Sequence, residues 1–143
     1  MAGYFKKLQG YVYDGEHRAK EKMADGIFAE LDGEGLVVPA TEAKDTVLRV
    51  AEKTGVFGEK GVLLDVVSVG AKEVFFVEMA YDDYGTENFD SAKAEIEAGE
   101  LVRMKRPLPG EQIAMNLADD VLSGLKVGDK VTPTAKGTVV KSA

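Results

Sequence analysis

Residues 23–41, MADGIFAELDGEGLVVPAT, decide the fold, because they place two short apolar runs on either side of a glycine-rich turn. The runs cover residues 27–31 and 36–38, and Asp-Gly-Glu-Gly separates them. Asp-Gly between such runs is typical of a β-hairpin, since glycine adopts the positive φ that tight hairpin turns require. Pro39 has no N–H to donate to a neighbouring strand and closes the second run. We therefore predict a hairpin here.

Further strands are predicted after this hairpin. Bulky and β-branched residues favour a strand over residues 46–53, although Thr41 and Gly55 would also suit the two ends of a helix. The runs GVLLDVVSV (61–69) and KEVFFVEMAY (72–81) are short and rich in Val and Phe. A glycine lies between these two runs, so we predict two neighbouring strands.

Two C-terminal stretches share one order of residues. GELVRMKRPLPGEQIAMN (99–116) and GDKVTPTAKGTVVK (128–141) each run glycine, acid, one residue, valine, a proline-bearing interruption, glycine and a second apolar run. Each predicts a strand, a turn and a second strand. Pro107, Pro109 and Pro133 restrict their strands to edges or bends, as at the corner of a small barrel. The predicted fold class is mainly β.

An acidic interval, DDYGTENFDSAKAEIEAGE, covers residues 82–100 and sets seven acids against Lys93 alone. Phe89, Ala92 and Ile96 have helical spacing, which predicts one short helix or an ordered acidic loop. The acids lack the alternating spacing of a helix–loop–helix calcium site. We interpret them as a solvated face and predict no metal site, no catalytic carboxylate and no cofactor.

Residues 1–24 are predicted to form an N-terminal arm. Their apolar and aromatic residues follow no clean period and precede a strongly polar run. Such a segment has to pack on its own body, on a neighbouring subunit or on another protein, since leaving it in water forgoes ~25 cal/mol per Å². The sequence leaves these possibilities open. Aromatic side chains are enriched at interface hot spots, so the predicted partner-binding anchors are Tyr4, Phe5, Leu8, Tyr11 and Tyr13.

The composition excludes several classes of function. The chain has 143 residues, enough for one domain with its own core. It contains no cysteine, which excludes disulfides, iron–sulfur clusters and thiolate zinc sites. A net charge of -7 argues against nucleic acid as a partner. No apolar run approaches the ~20 residues of a membrane span, and no signal-peptide core follows the first lysines, so we expect synthesis in the cytoplasm and no membrane partner.

No residue pattern indicates catalysis, and we predict a protein that is not an enzyme. His17 is the only histidine; it lies in a charged run and is interpreted as solvated and without a role. The glycines of GVFGEKG (55–61) match neither common phosphate-binding motif. The basic run RMKRP (103–107) is divided between the two faces of a strand and is interpreted as a charge cluster on the rim.

Three stretches carry a resemblance to known proteins: MADGIFAELDGEGLVVPAT (23–41), AGELVRMKRPLPGEQIAMN (98–116) and LSGLKVGDKVTPTAKGTVVKSA (122–143). They resemble the small β-rich head decoration, or cement, proteins of tailed bacteriophages. Such proteins often share a glycine before an early apolar strand, a VVPAT-like strand end and a terminal L-x-x-G-D-x-V-x-P element. The likeness covers the start and the end of the folded part.

The resemblance implies a compact β-barrel or β-tulip body, here residues 25–143, and homotrimers at threefold positions of the capsid. It implies an arm that extends across neighbouring capsid subunits, with the major capsid protein as partner and the capsid exterior of the virion as location. Two other functions stay open. One is another virion component, such as a tail or head–tail joining protein, and the other is a carbohydrate-binding β module that uses Tyr81, Tyr84 and Phe89.

Overall fold

The computed structural model describes residues 3–5, 17–24, 26–53, 61–77 and 95–142, and this part of the chain is built mainly of strands. The strands are β1 (Gly3–Phe5), β2 (Met23–Ala24), β3 (Phe28–Leu31), β4 (Val37–Pro39), β5 (Val47–Glu52), β6 (Gly61–Ser68), β7 (Phe75–Val77), β8 (Glu95–Ile96), β9 (Met104–Lys105), β10 (Gln112–Asn116), β11 (Lys130–Pro133) and β12 (Val139–Lys141). The prediction of a mainly β fold is confirmed.

The strands form three antiparallel sheets. A six-stranded sheet has the order β1-β10-β6-β5-β11-β12, a four-stranded sheet has the order β4-β3-β7-β9, and β2 pairs with β8. A short helix, α1 (Asp119–Ser123), precedes β11, and a 3₁₀ turn, Ala135–Gly137, joins β11 to β12. No helix in the part of the chain described is long and apolar enough to cross a membrane.

The four-stranded sheet is the middle layer and is covered on both faces. Successive side chains of a strand point to opposite faces. Phe28 and Phe76 therefore face the six-stranded sheet in a first core, whereas Ala29 and Val77 face a second core with β2 and its neighbours. Continuous apolar runs such as VFFV are typical of strands buried on both faces.

The first core lies between the two larger sheets and holds the bulkiest side chains. The rings of Phe28 and Phe76 meet edge to face, with centroids 5.3 Å apart and an interplanar angle of 69°. The six-stranded sheet contributes fully buried residues such as Leu48, Leu64 and Ile113. This core joins residues that are far apart in sequence, so it fixes the packing of the two sheets on each other.

Residues 17–20 close the backbone around the second core. The N–H of Val37, in β4, donates to the carbonyl of Arg18 (2.8 Å), and the N–H of Ala19 donates to the carbonyl of Glu100 (2.9 Å). The chain from Glu100 leads directly into β9, the opposite edge of the four-stranded sheet. The sheets themselves stay open among the described strands, and this closure is made through isolated bridges at Arg18 and Ala19.

The last residues of the segment predicted as an arm, 1–24, contact the body. Ala19 and Met23 are buried in the second core, and β2 pairs with β8 through Met23 and Ala24. The charged side chains of this region are exposed, whereas those of Ala19 and Met23 face inward. Residues 6–16 lie outside the described part of the chain, and the arm stays a prediction for them.

The predicted hairpin is confirmed as β3 and β4, which pair through Glu30 and Val38. Asp32 holds the turn, because its Oδ1 accepts the backbone N–H of Glu34 (2.9 Å) and of Leu36 (3.0 Å). The Leu36 bond is the main cause that lowers the pKa of Asp32, and the Glu34 bond and nearby Lys20 lower it further against the opposing effect of burial. Local turn chemistry therefore explains why this hairpin was readable from sequence.

One turn occurs three times, at residues 97–100, 108–111 and 126–129. In each turn a glycine with positive φ, between 84 and 95°, precedes an acid. The backbone N–H of the acid donates to the carbonyl of the residue three positions earlier, and the acid's side chain accepts the backbone N–H of that same residue. The two distances, in that order, are 3.1 and 3.3 Å for Glu100 with Glu97, 3.1 and 2.8 Å for Glu111 with Leu108, and 3.0 and 2.9 Å for Asp129 with Lys126. A positive φ at the third position is the signature of a type II turn, so the shared Gly-acid order encodes a turn.

Some strand predictions are confirmed and others are wrong. The strand over residues 46–53 is β5, and residues 128–141 form the β11–β12 hairpin. Residues 99–116 are not a hairpin, because β9 pairs with β7 while β10 pairs with β6 in the other sheet. Likewise β6 and β7 are not neighbours, since the chain crosses between sheets at Gly70, where a Cβ would collide with the side chain of Asp45. Adjacency in sequence did not reveal this change of sheet.

The acidic interval, residues 82–100, contains the strand β8 at Glu95–Ile96, where the sequence showed helical spacing. Ile96 lies in β8 and pairs with Met23, so the predicted helix does not continue to this residue. Residues 82–94 lie outside the described part of the chain. The helix that the structure has, α1, begins after Leu117 with Asp119 and Asp120 in its first turn, where acidic side chains suit the positive end of the helix dipole.

Candidate binding surfaces

Two of the five predicted arm anchors lie in β1, at one edge of the six-stranded sheet. Tyr4 is opposite Ala114 and Phe5 is opposite Ile113 in the antiparallel pairing of β1 with β10. The other three predicted anchors, Leu8, Tyr11 and Tyr13, lie outside the described residues. At residues 3–5 the backbone is paired with the body, which is one of the possibilities that the sequence left open. The binding role of all five residues stays a prediction.

The strand under β1 is apolar and buried. Ile113, Ala114 and Met115 of β10 have 0–1% of their surface exposed. An uncovered β10 would present a row of backbone donors and acceptors flanked by apolar side chains, which is a template for strand addition. The position of β1 therefore both covers this edge and anchors the start of the chain to a rigid sheet.

The crossover from β9 to β10 is held by a buried ion pair. Lys105 is 3% exposed and Glu111 is 0% exposed, and Lys105 Nζ donates to Glu111 Oε1 over 2.7 Å. Lys105 Nζ also donates to the carbonyl of Arg106 (3.2 Å). The rim-cluster interpretation is therefore wrong for Lys105, because the strand turns it inward to meet Glu111, while Arg103 and Arg106 are exposed.

A second surface lies at the opposite edge of the six-stranded sheet, where β12 is the last strand in the described part of the chain. Val140 of β12 is 47% exposed, and Val127, in the turn before β11, is 65% exposed. Lys141 Nζ lies 3.5 Å from Asp129 Oδ2, which brings the end of β12 beside that turn. A groove of about 340 Å³ runs along the same edge and is lined by Glu42, Lys44, Thr132, Val140, Lys141 and Ser142.

This edge is positively charged within an acidic chain. Residues 125–142 contain four lysines and one aspartate, a net charge of +3, against -7 for the whole chain. Asp129 is itself engaged: the Lys126 N–H is the main cause that lowers its pKa, and Lys141 lowers it further against the opposing effect of burial. Sequence reasoning missed this surface, although the concentration of lysines in a C-terminal stretch was a readable signal.

The described residues contain no group of three or more His, Cys, Asp or Glu side chains that could hold a metal ion. The carbonyl of His17 accepts the N–H of Val102 (3.0 Å), so the backbone of this residue belongs to the closure of the second core. The residues considered for carbohydrate binding, Tyr81, Tyr84 and Phe89, lie outside the described part. Comparisons with protein-family models, with curated proteins and with solved structures found no match to this chain.

Proposed function

We propose that this protein is a structural component of a phage virion that binds the exterior of the capsid and clamps adjacent capsid subunits. It acts without catalysis and without a cofactor. Its partners are the major capsid protein and further copies of itself, as a homotrimer. It is made in the host cytoplasm and joins the virion at the capsid surface.

The observation that supports this proposal best is that the aromatic N-terminal segment is attached to the body at two points. β1 pairs with β10 at its start, and the carbonyl of His17 accepts the Val102 N–H at its end. The sequence between these points contains Leu8, Tyr11 and Tyr13. A segment with both ends fixed has fewer conformations to lose on binding, so its aromatic side chains are suited to anchoring a partner.

A clamp of this kind stabilises a shell by mass action. A ligand that binds only the assembled subunits lowers the free energy of that state and leaves the separated subunits unchanged. Three arms in one homotrimer would engage neighbouring capsid subunits together, and linked binding events can raise the overall affinity by roughly 10²–10⁴ over one arm. Weak individual contacts are then sufficient for stable attachment.

The test uses point variants in addition to truncation, because deleting residues 1–15 also removes β1 from the sheet edge. The triple variant Leu8→Ala, Tyr11→Ala, Tyr13→Ala keeps β1 and should lose capsid binding in a co-sedimentation assay with capsids of the phage that encodes the chain. Val67→Ala, an exposed position on β6, is the matched control and should bind like the wild type. Circular dichroism checks that both variants fold.

Undiminished capsid binding by the triple variant would contradict the role of the arm. Absence of binding by the wild type would contradict the capsid proposal itself. Rings of higher symmetry in solution would then favour a tail or head–tail joining role. Glycan binding that is lost in Tyr84→Ala would favour the carbohydrate-binding alternative.

A further inference from the structure

The free end of the six-stranded sheet carries exposed cationic and apolar side chains, here named the β12 corner: Lys126, Val127, Lys130, Val140 and Lys141. The register places Lys130 one strand in from the edge, opposite Arg49, and places Val140 opposite Thr132. Lys126 and Lys130 make no ion pair with any residue in the described part of the chain. The charge of Lys126 does contribute to lowering the pKa of Asp129, and both lysine side chains are exposed to a partner.

The corner is unsuited to pairing with its own counterpart on a second copy. Side-by-side pairing of two β12 strands would place Lys141 of both copies in adjacent strands at one short edge, and like charges at close range there are destabilising. Lysine on an edge strand is a common means of preventing such edge-to-edge association. The two exposed valines nevertheless provide apolar contact area beside the charges. This combination fits an acidic surface that also offers apolar contact.

The chain itself carries such a surface, here named the acidic edge: Glu95, Glu97 and Glu100. All three residues are exposed, and Lys22 Nζ lies 3.6 and 3.7 Å from carboxylate oxygens of Glu95 and Glu97. Arg18 is also near, since its guanidinium donates to the carbonyl of Gly99 over 2.7 Å. Ile96 lies between them and is half-buried against the second core. With +3 on residues 125–142 and -7 on the whole chain, the remaining residues carry -10.

The β12 corner and the acidic edge belong to opposite outer layers of the fold. The corner is part of the six-stranded sheet on one side of the first core, whereas β8 lies beyond the middle sheet, on the second core. One molecule cannot bring its own two surfaces together without unfolding. Two molecules can, in a head-to-tail contact in which each surface meets the other kind.

We propose that the β12 corner of one copy binds the acidic edge of the next copy. This contact gives a location to the self-association within the proposed function, and it is tested without capsids. It is heterologous, because it joins two different surfaces, so in a closed homotrimer each copy uses its β12 corner toward one neighbour and its acidic edge toward the other. Long-range attraction between the unlike charges makes its strength dependent on ionic strength.

The experiment is a reciprocal charge exchange, read by sedimentation velocity on the full chain at 50 and 500 mM NaCl (about 14 and 4 Å Debye length). The corner variant carries Lys126→Glu and Lys130→Glu, which break no internal ion pair. The edge variant carries Glu95→Lys and Glu97→Lys, which lose only the exposed pairs with Lys22. Glu73→Lys, an exposed charge reversal outside both surfaces, is the matched control.

The wild type and Glu73→Lys should associate at low salt and weaken at least ten-fold in affinity at high salt. Each exchanged variant alone should associate at least ten-fold more weakly at low salt, because its two surfaces then carry the same sign. An equimolar mixture of the two variants should recover association, since each surface again meets its opposite. Circular dichroism establishes that both variants are folded.

Three results would overturn the proposal: a wild type that stays monomeric at low salt, association that both variants retain, or a mixture that fails to recover it. Capsid binding by a monomeric wild type would leave the capsid proposal standing and remove only this contact. If the wild type associates in a salt-dependent way but does not bind capsids, this contact stands and the capsid proposal is contradicted. The two proposals are therefore tested separately.

Discussion

Replacing Lys105 by methionine tests the energetic importance of the buried pair that joins β9 to β10. The substitution keeps an unbranched chain of similar length but removes the charge that faces Glu111 over 2.7 Å. Glu111 would remain fully buried, and the Leu108 N–H would still donate to its Oε1 over 2.8 Å. Removing one partner of a buried pair typically costs ~3–5 kcal/mol, because the other charge stays buried without its counter-ion.

A loss of this size is a large part of the stability of a small domain, which is roughly 5–15 kcal/mol in total. We expect Lys105→Met to lower the free energy of unfolding by ~3–5 kcal/mol, equivalent to roughly 10–20 °C in Tm for a domain of this size. Urea unfolding followed by circular dichroism measures the effect without the screening that guanidinium salt would add. Glu111→Gln should cost less, since an amide can still accept from Leu108.

Two comparisons separate the ion pair from loss of a lysine in general. Lys72→Met is the matched control: Lys72 is 41% exposed and lies 3.1 Å from Glu30, so its removal should cost at most ~1 kcal/mol. The double variant Lys105→Met, Glu111→Gln should be less destabilised than the sum of the two single variants, with a coupling of ~1–3 kcal/mol. A cost below ~1 kcal/mol for Lys105→Met, or additive single effects, would refute the reasoning.

Three further predictions concern turns, charge and core. Gly128→Ala should lower the free energy of unfolding by ~1–2 kcal/mol in urea, because φ is 95° at this glycine. Gly33→Ala is the control and should be nearly neutral, because no atom lies within 4 Å of its added Cβ. Equal losses for the two variants would contradict the turn assignment. The lowered pKa of Asp129 means that its stabilising contribution is present above the unfolded-state value of ~3.9 and is lost as pH falls through the lower folded-state pKa. The stability difference between wild type and Asp129→Asn should therefore shrink between pH 6 and pH 2.5, and a difference that grows on acidification would contradict this sign. Phe76→Ala should lower the free energy of unfolding by ~3–5 kcal/mol, because Phe76 belongs to the first core. Hydrogen exchange should show faster amide exchange in both larger sheets. Faster exchange confined to the four-stranded sheet would contradict a shared first core.

Local chemistry explains which parts of the fold could be predicted from sequence. The β3–β4 hairpin was readable because Asp32 and its glycines specify the turn within a few residues. The β11–β12 hairpin was readable for a similar reason, since Gly128 and Asp129 open it and Gly137 turns it back with φ of 76°. In both cases the residues that determine the structure are neighbours in the chain.

Long-range placement could not be predicted in the same way. The run VFFV reads as a strand, but nothing within it reveals that Phe76 faces one core and Val77 another. Lys105 resembled an exposed cation until the fold brought Glu111 against it, and Met23 resembled part of an arm until β8 paired with it. Met23 and Phe76 contact distant segments, whereas Lys105 meets a residue six positions away because the chain changes sheets between β9 and β10.

The candidate surfaces follow the same division. The aromatic character of Tyr4 and Phe5 marked a contact region in sequence, while their position opposite β10 required the structure. The β12 corner was overlooked because each of its residues is unremarkable alone. It becomes a candidate surface only when the fold places Val140 and Lys141 on a free sheet edge beside the turn that contains Val127.

The central claim is that the protein binds the outside of a capsid, and electron microscopy of capsids mixed with the purified protein tests it most directly. The account predicts added density at threefold positions of the shell, with the N-terminal segment reaching onto adjacent capsid subunits. The triple variant of Leu8, Tyr11 and Tyr13 should leave those positions empty. Bare shells with the wild-type protein, or density confined to the tail, would contradict the account.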